Sequence, residues 1–403
     1  MNTVTIGFKK RVVVTSFVIG TLFQAGPTLA QDGIGFQVGD TTLKFSGFVD
    51  LDVHFTDTSD GEIDPNAAGG AGLDIYIPSL TPVSPSDSSA DSDLQTDFTA
   101  QSSRFALSTT TPAKFGDINT HIELDFLISP GGNELVSNSF NPRLRRAYVD
   151  YNGFRVGQEW STFQGVHAIP ESASFYTPAE SQVFVRQPIL RYSFGNFQVA
   201  LENPQTFIQD PPPGSGAIGD DGVIPDIIGR YNFKGDFGLI SLSGILRELA
   251  VETDTIDETD VGLGFSVAGR VKVAGDDDIR FSLQAGDGLG RYVGLGILRG
   301  AQFDAATGSL DAIGSVSGSI AYRAVTGLWS TNVGYSFLDI DLDANNPLNL
   351  DQSEKSQSGY VAVIRKLGPK LTVGGEILIG ERELVNGDSG TINRATFSVK
   401  QAF

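Results

Sequence analysis

Seven bases in this chain stand in one repeated setting, with an apolar residue next to each. Arg155, Arg191, Arg230, Arg270, Lys272, Arg280 and Arg323 neighbour Val156, Tyr192, Tyr231, Val271, Phe281 and Tyr322. In an extended strand successive side chains point to opposite faces, so each base lies on one face and its apolar neighbour on the other. Carboxylates share the basic faces: Asp50, Asp52, Glu123, Asp125, Glu159, Glu202 and Glu376. Fixed guanidinium groups across water from fixed carboxylates can do two things. They can brace a wall by ion pairing, or they can attract and orient anions without trapping them. Both can hold at once.

The elements that must carry these residues are strands with one apolar and one polar face. In residues 41–55, Leu43, Phe45, Gly47, Val49, Leu51, Val53 and Phe55 share one face, and Lys44, Ser46, Asp50, Asp52 and His54 the other. Phe48 intrudes on the polar side. Similar alternation recurs about sixteen times and runs to the C-terminal Phe403. Candidate strands fall at about 41–55, 97–111, 115–128, 143–151, 153–160, 185–194, 197–203 and 225–233. Eight more fall at about 237–249, 259–273, 277–286, 313–325, 328–337, 356–366, 370–380 and 391–403.

The connections alternate short and long. Asn152-Gly153, Gly195-Asn196, Lys234-Gly235-Asp236, Thr326-Gly327 and Leu367-Gly368-Pro369 carry tight-turn chemistry. Eight longer connections between them hold most of the Pro, Ser, Asp and Asn clusters. Placing every long loop at one end suits an all-β transmembrane antiparallel barrel of about 16 strands, with short periplasmic turns and long extracellular loops. An Arg on the lipid face would then cost on the order of 2–4 kcal/mol near the bilayer midplane, so the strand arginines are expected to face the lumen. With 48 Gly, 27 Phe, one Met and no Cys, the composition favours the same class and excludes thiolate catalysis and thiolate zinc sites.

Lys9, Lys10 and Arg11, a short apolar stretch over 12–23 and Thr28-Leu29-Ala30 read as a signal peptide over 1–30. Export through it points to the outer membrane of a Gram-negative bacterium. Residues 31–40 are expected to form a short periplasmic segment and 41–403 the barrel. The net charge of −20 becomes more negative once those three bases are removed. Asp57, Asp60, Glu62, Asp64, Asp74, Asp87, Asp91 and Asp93 crowd the first long loop, and Glu252, Asp254, Asp257, Glu258 and Asp260 another. Such loops can share divalent cations with each other or with lipid phosphates, though no EF-hand pattern is present and a plain solvated surface is the simpler expectation. Outer-membrane lipid and lipopolysaccharide are the expected surroundings, with no nucleic acid as partner.

Residues 141–163, reading NPRLRRAYVDYNGFRVGQEWSTF, resemble the DcaP-like trimeric porins. In that family a strand reading R-x-A-Y-V crosses a tight turn into one ending G-Q-x-W-S-x-F, just before a loop that folds into the pore. Residues 43–50 and 101–105 are similar to the family as well, so the likeness runs from about residue 41 to the end. It implies a sixteen-stranded homotrimer admitting small carboxylic acids, dicarboxylates included. Unlike many members, which begin with a coiled-coil helix, this chain has only residues 31–40 between the signal peptide and the first strand.

The connection over 161–184 stands where porins place a constriction loop. Its Gly165, Pro170 and Pro178 suit an irregular segment, and His167, Glu171, Tyr176 and Glu180 could line the eyelet. Arg186 follows it, and Arg104, Arg143, Arg145 and Arg146 lie on strands near it. Strand parity favours Arg146 as the inward member of its triplet. The candidate pore-lining residues are thus Arg104, Arg146, Arg155, Arg186, Arg191, Arg230, Arg270, Arg280 and Arg323. The expected function is passive diffusion of small anionic solutes. The alternative is a general or cation-preferring porin whose acidic loops also serve as a receptor or adhesion surface. The three histidines, His54, His121 and His167, stand in no nucleophile motif, so no enzyme is expected. Residues 31–40 also leave no room for the plug of a gated transporter.

Overall fold

The computed structural model describes residues 33–403 apart from 86–89, 91, 130, 135–136, 217 and 220–221. The signal peptide expected over 1–30 lies outside the described residues. Sixteen antiparallel strands close on themselves: β1 (Thr41–Thr58), β2 (Gln95–Thr99 continued by Arg104–Thr111), β3 (Ile118–Asp125), β4 (Arg143–Tyr151), β5 (Phe154–Trp160), β6 (Arg186–Phe194), β7 (Phe197–Glu202) and β8 (Asp226–Gly235) make one half. The other half is β9 (Gly238–Glu252), β10 (Asp257–Lys272), β11 (Asp278–Asp287), β12 (Gly314–Thr326), β13 (Trp329–Asp341), β14 (Ser353–Lys366), β15 (Leu371–Leu384) and β16 (Ser389–Ala402). Each pairs with the next, and β16 returns to β1 with Phe48 opposite Ala402 and Thr58 opposite Ile392. Closure leaves no free edge in the ring, so every wall strand has partners on both sides.

The alternation read from the sequence is the alternation of the wall. In β1, Val49 and Leu51 are exposed on the outer face while Asp50, Asp52 and His54 are buried in the lumen. Phe48 is buried there too, with the Arg104 guanidinium 5.0 Å and the Lys400 ammonium 5.1 Å from its ring centre. Its place on the polar side is that of an aromatic face for two cations.

Four local features depart from uniform strands. Residues 34–38 (Ile34–Val38) are a further strand, antiparallel to β1 from Ile34 opposite Phe45 to Val38 opposite Thr41. It lies where β16 has ended, since the Phe403 amide already bonds Gly47 O. Strand β2 breaks at residues 100–103, although both pieces pair with β1. In β4 the pairing with β3 skips a residue, Glu123 facing Arg146 and Leu124 facing Leu144, so Arg145 is the extra residue of a β-bulge. Two connections expected to be long are four-residue turns, 253–256 and 385–388, because the strands they join run on past the point where the sequence pattern was expected to stop.

The wall is uneven. Strands β3 to β7 have six to nine residues, whereas β9, β10 and β12 to β16 have 13 to 16. The true loops fold against the tall side. Thr206–Gln209, Ile218–Gly219, Ala301–Asp304 and Ser309–Ala312 join two of them into a small four-stranded sheet. Its residues Ile208, Phe303 and Leu310 pack with Leu249 and Val251 of β9.

Candidate functional site

Residues 161–185 leave β5, cross the lumen and return at β6, the neck being closed by the Ser161 amide on Val185 O at 3.0 Å. The tall wall receives this loop because its inward side chains are small. Ser282, Ser336 and Ser358 are buried there, and Ala268 and Gly374 leave space for the main chain. A Cβ on Gly165 would stand 2.3 Å from Ala268 Cβ, and one on Gly374 2.9 Å from Ala173 Cβ. Both glycines are therefore required by close approach.

Hydrogen bonds fix the loop at many points. The Ser181 amide donates to Ser336 Oγ at 3.1 Å. Glu376 accepts from Ser172 Oγ, the Ala173 amide and Ser174 Oγ at 2.8, 2.9 and 2.8 Å. Arg230 Nη1 donates to Gln164 O at 2.9 Å and Arg280 Nη1 to Ile169 O at 2.6 Å. The loop also binds its neighbours: Glu180 accepts from Ser358 Oγ and from Tyr76 OH of the first loop, both at 2.7 Å. Phe163 packs edge-on against Tyr292 of the loop over 288–313, with ring centres 5.9 Å apart. Tyr292 is itself held by its hydroxyl on Asp226.

Three of the four side chains expected at the eyelet belong instead to this anchorage. Glu180 is 0 % exposed, and burial raises its carboxyl above the usual range. His167 is buried, with Nε2 3.2 Å from Ala268 O, and burial followed by the nearby Arg230 charge holds its pKa down to about 3. Tyr176 donates to Gln182 Oε1 at 3.1 Å and packs on Phe184. Only Glu171 is half-exposed, and its Oε2 accepts from Asn332 Nδ2 at 3.0 Å. Period and spacing could find the loop. Which side of it would meet the wall depended on Ser336, Ser358 and Ala268, more than eighty residues away in the chain.

The opposite wall, from β2 to β6, is cationic. Arg143 pairs bidentately with Asp125 at 2.9 and 2.8 Å. Arg145 bridges Glu123 and Asp125, both at 2.7 Å. Arg146 pairs bidentately with Glu159, both contacts being 2.7 Å. Arg155 does the same with Asp150, also at 2.7 Å, reaches Glu159 and lies 3.9 Å from the Tyr148 ring centre. Arg104 is 3.7 Å from Glu123. The bulge at Arg145 turns it inward beside Arg146, so all three arginines of the triplet face the lumen where parity alone chose one. Arg143 and Arg145 thus join the wall, and the sequence carried no sign of the bulge that brings Arg145 there.

Arg186 differs from the rest. Its guanidinium lies between the rings of Trp160 and Phe184, 4.5 and 4.7 Å from their centres, with no carboxylate partner among the described residues. Arg186 Nη1, Arg104 Nε and Gln182 Nε2 are buried donors without a hydrogen-bond partner among those residues. Of these six arginines, Arg104, Arg143, Arg145, Arg146 and Arg155 share four carboxylates, and Arg186 has none among the described residues. Buried donors left unpaired are costly, and an oxyanion could satisfy them.

The remaining candidates divide by height and task. Arg191 braces the loop's neck through Thr162 Oγ1 at 2.8 Å and Trp160 O at 2.5 Å. Arg230 holds the loop's underside, and Arg270, Arg280 and Arg323 gather on Asp278 near a short turn. Arg247, absent from the sequence candidates, ties Asp226 to Gly288 O and Leu289 O and so holds the loop over 288–313. Among the described residues no group of three or more His, Asp and Glu side chains is arranged to hold a metal ion.

The family model described as DcaP outer membrane protein matches residues 60–402. Among solved structures, the outer membrane channel DcaP of Acinetobacter baumannii superposes with a TM-score of 0.73 at 19 % identity, covering 92 % of this chain and 99 % of that one. An anion-selective porin from Comamonas acidovorans gives 0.51 at 15 % identity, covering 90 % and 100 %. A Salmonella typhi OmpF complex with daunomycin gives 0.54 at 7 % identity, covering 92 % and 100 %. These structural likenesses are of fold. No curated protein sequence matches this chain.

Proposed function

We infer, for a chain that belongs to the DcaP outer membrane protein family and is an integral outer-membrane channel, that the solutes it passes are small anions, carboxylates and dicarboxylates first. The observation that carries this reading is the gathering of Arg104, Arg143, Arg145 and Arg186 on the wall that faces the docked loop, with Arg104 Nε and Arg186 Nη1 buried and unpaired among the described residues. Carboxylates recognise guanidinium groups through paired N–H donors, as Asp125 and Glu159 already do within the wall. Glu123 and Asp125 keep the site from holding an anion too tightly, which conduction requires. Passage is diffusive down a gradient, and no side chain is asked to do covalent chemistry.

The short wall supports a homotrimer. A membrane-spanning strand needs about 9–11 residues at its usual tilt, and β3, β5 and β7 have eight, seven and six. Outward Leu107, Ile122, Leu144 and Val156 are exposed on this low side. A neighbouring copy would cover them where lipid chains fit poorly. Amine-reactive cross-linking in native membranes should then trap species up to the trimer, Ile122→Arg should weaken them, and monomer alone in the wild type would count against it.

The test of solute class is the reversal potential of single channels in planar bilayers under a KCl gradient, repeated with a dicarboxylate as the sole anion. Anion preference in both is expected. Cation preference would keep the channel and overturn the solute class.

A further inference from the structure

A second group of bases lies below the docked loop, at the short-turn end of the lumen. Asp278 opens β11, and three guanidinium groups from adjacent strands close on its carboxylate. Oδ1 accepts from Arg280 Nε at 2.7 Å, while Oδ2 accepts from Arg270 Nη2 and Arg323 Nε, each at 2.9 Å. Strand register imposes this: Arg270 pairs across from Arg280, and Asp278 from Arg323. Lys272 is exposed two residues further along the same face of β10.

The acids nearby do not balance these bases. Asp277 turns to the outer face, where Tyr322 OH and the Val325 amide donate to it at 2.7 Å. That leaves Asp276, Asp278 and, from the loop, Glu171 held by Asn332 across from Arg323, three acids against the four bases Arg270, Lys272, Arg280 and Arg323. The Arg270 side chain is 35 % exposed, so part of its guanidinium remains open to lumen water. Arg280 also touches the constriction loop at Ile169 O, which places this group directly beneath the loop. Asp278 shows what the arrangement accepts: one carboxylate, each oxygen bonded by guanidinium N–H groups from different strands.

We propose that Arg270, Arg280 and Arg323, with Lys272 beside them, form a second anion station on the periplasmic side of the constriction, for small multivalent oxyanions bearing carboxylate groups. This rests on reading the pore as an anion path. The station receives a solute once it has passed the loop and keeps its charge compensated as it leaves the Arg104 to Arg186 wall. Asp278 sets the strength of the station by occupying part of it.

The experiment is block of single-channel KCl current by citrate, added to one side at a time. Wild-type channels should be blocked from either side. Arg270→Gln with Arg323→Gln should raise the half-blocking citrate concentration from the periplasmic side about tenfold and change it from the loop side by less than about twofold. Asp278→Asn keeps all three arginines, removes the built-in carboxylate and should lower the periplasmic half-blocking concentration several-fold, so it decides the matter if the double variant does not fold. Unchanged periplasmic block in these variants, or equal loss from both sides, would overturn the second station. Absence of citrate block from both sides of the wild-type channel would instead sink the anion reading of the whole pore.

Discussion

From β2 to β6 the lumen is lined by long cationic side chains that meet the crossing loop chiefly through the rings of Phe175 and Phe184, whereas from β9 to β16 that loop is hydrogen-bonded to serines, with Glu376 and Arg280 beside them. Side-chain size accounts for the difference. Ser282, Ser336 and Ser358 let a second layer of main chain approach and then satisfy its polar groups. Arg143, Arg145 and Arg146 fill the space themselves and need carboxylates of their own wall. The loop is thus hydrogen-bonded to one side of the lumen, and its other side faces the charged wall.

Breaking the charged side should give the largest effect. Arg145→Glu with Arg186→Glu reverses two of the six bases and should move the anion-to-cation permeability ratio about tenfold toward cations, read from reversal potentials in a KCl gradient. An unchanged ratio would mean that the wall braces the barrel without meeting the solute. Next comes the docking side. Gly165→Leu drives a side chain into Ala268, at a cost of roughly 1–3 kcal/mol, and should lift the loop from the tall wall. Single-channel conductance should rise while anion preference falls.

A smaller change removes one anchor. Glu180→Ala leaves Tyr76 OH and Ser358 Oγ without their shared acceptor, at about 1–3 kcal/mol for the buried polar groups. The channel should close and reopen more often in long recordings, with its open conductance kept. Because Tyr76 belongs to the first loop, the same variant should loosen that loop to limited proteolysis.

The smallest expected effect is one of pH. Asp74 of the first loop is buried and accepts from Gln101 Nε2 at 2.7 Å. Burial, and then the charge of Asp97, pushes its carboxyl up to about 8. A carboxyl raised in the folded state favours docking while it stays protonated, so that stabilisation is fully present below about 4, falls as pH rises and is gone by about 8. Proteolysis of the first loop should quicken as pH rises from about 4 towards 8 and level off above it, and Asp74→Asn should flatten that dependence.

Much of this contrast could not be read along the chain. The arginines of β2 to β6 were visible as bases in alternating strands, and the loop over 161–184 as a break holding Gly165, Pro170 and Pro178. The serines that receive it looked like ordinary polar positions of a lumen face. Nothing in their spacing marked Ser336 and Ser358 as partners of residues 180 and 181. The bulge that turns Arg145 inward beside Arg146 arises from the mismatch between β3 and β4, and so belongs to the pairing of two strands.

The sequence by itself determined the ring of sixteen strands, which residues face outward wherever no bulge interrupts the strand, and which end carries the loops, because a two-residue period and turn chemistry are local properties that every strand repeats. Only the tertiary structure decided which loop residues are anchors and which remain in water. Glu180 and His167 are polar in the sequence yet buried in the fold, since burial depends on what the opposite wall brings to them. The same holds for charge. Arg186 reads like the other arginines in the chain, yet in the fold its guanidinium lies between two aromatic rings and has no carboxylate partner among the described residues.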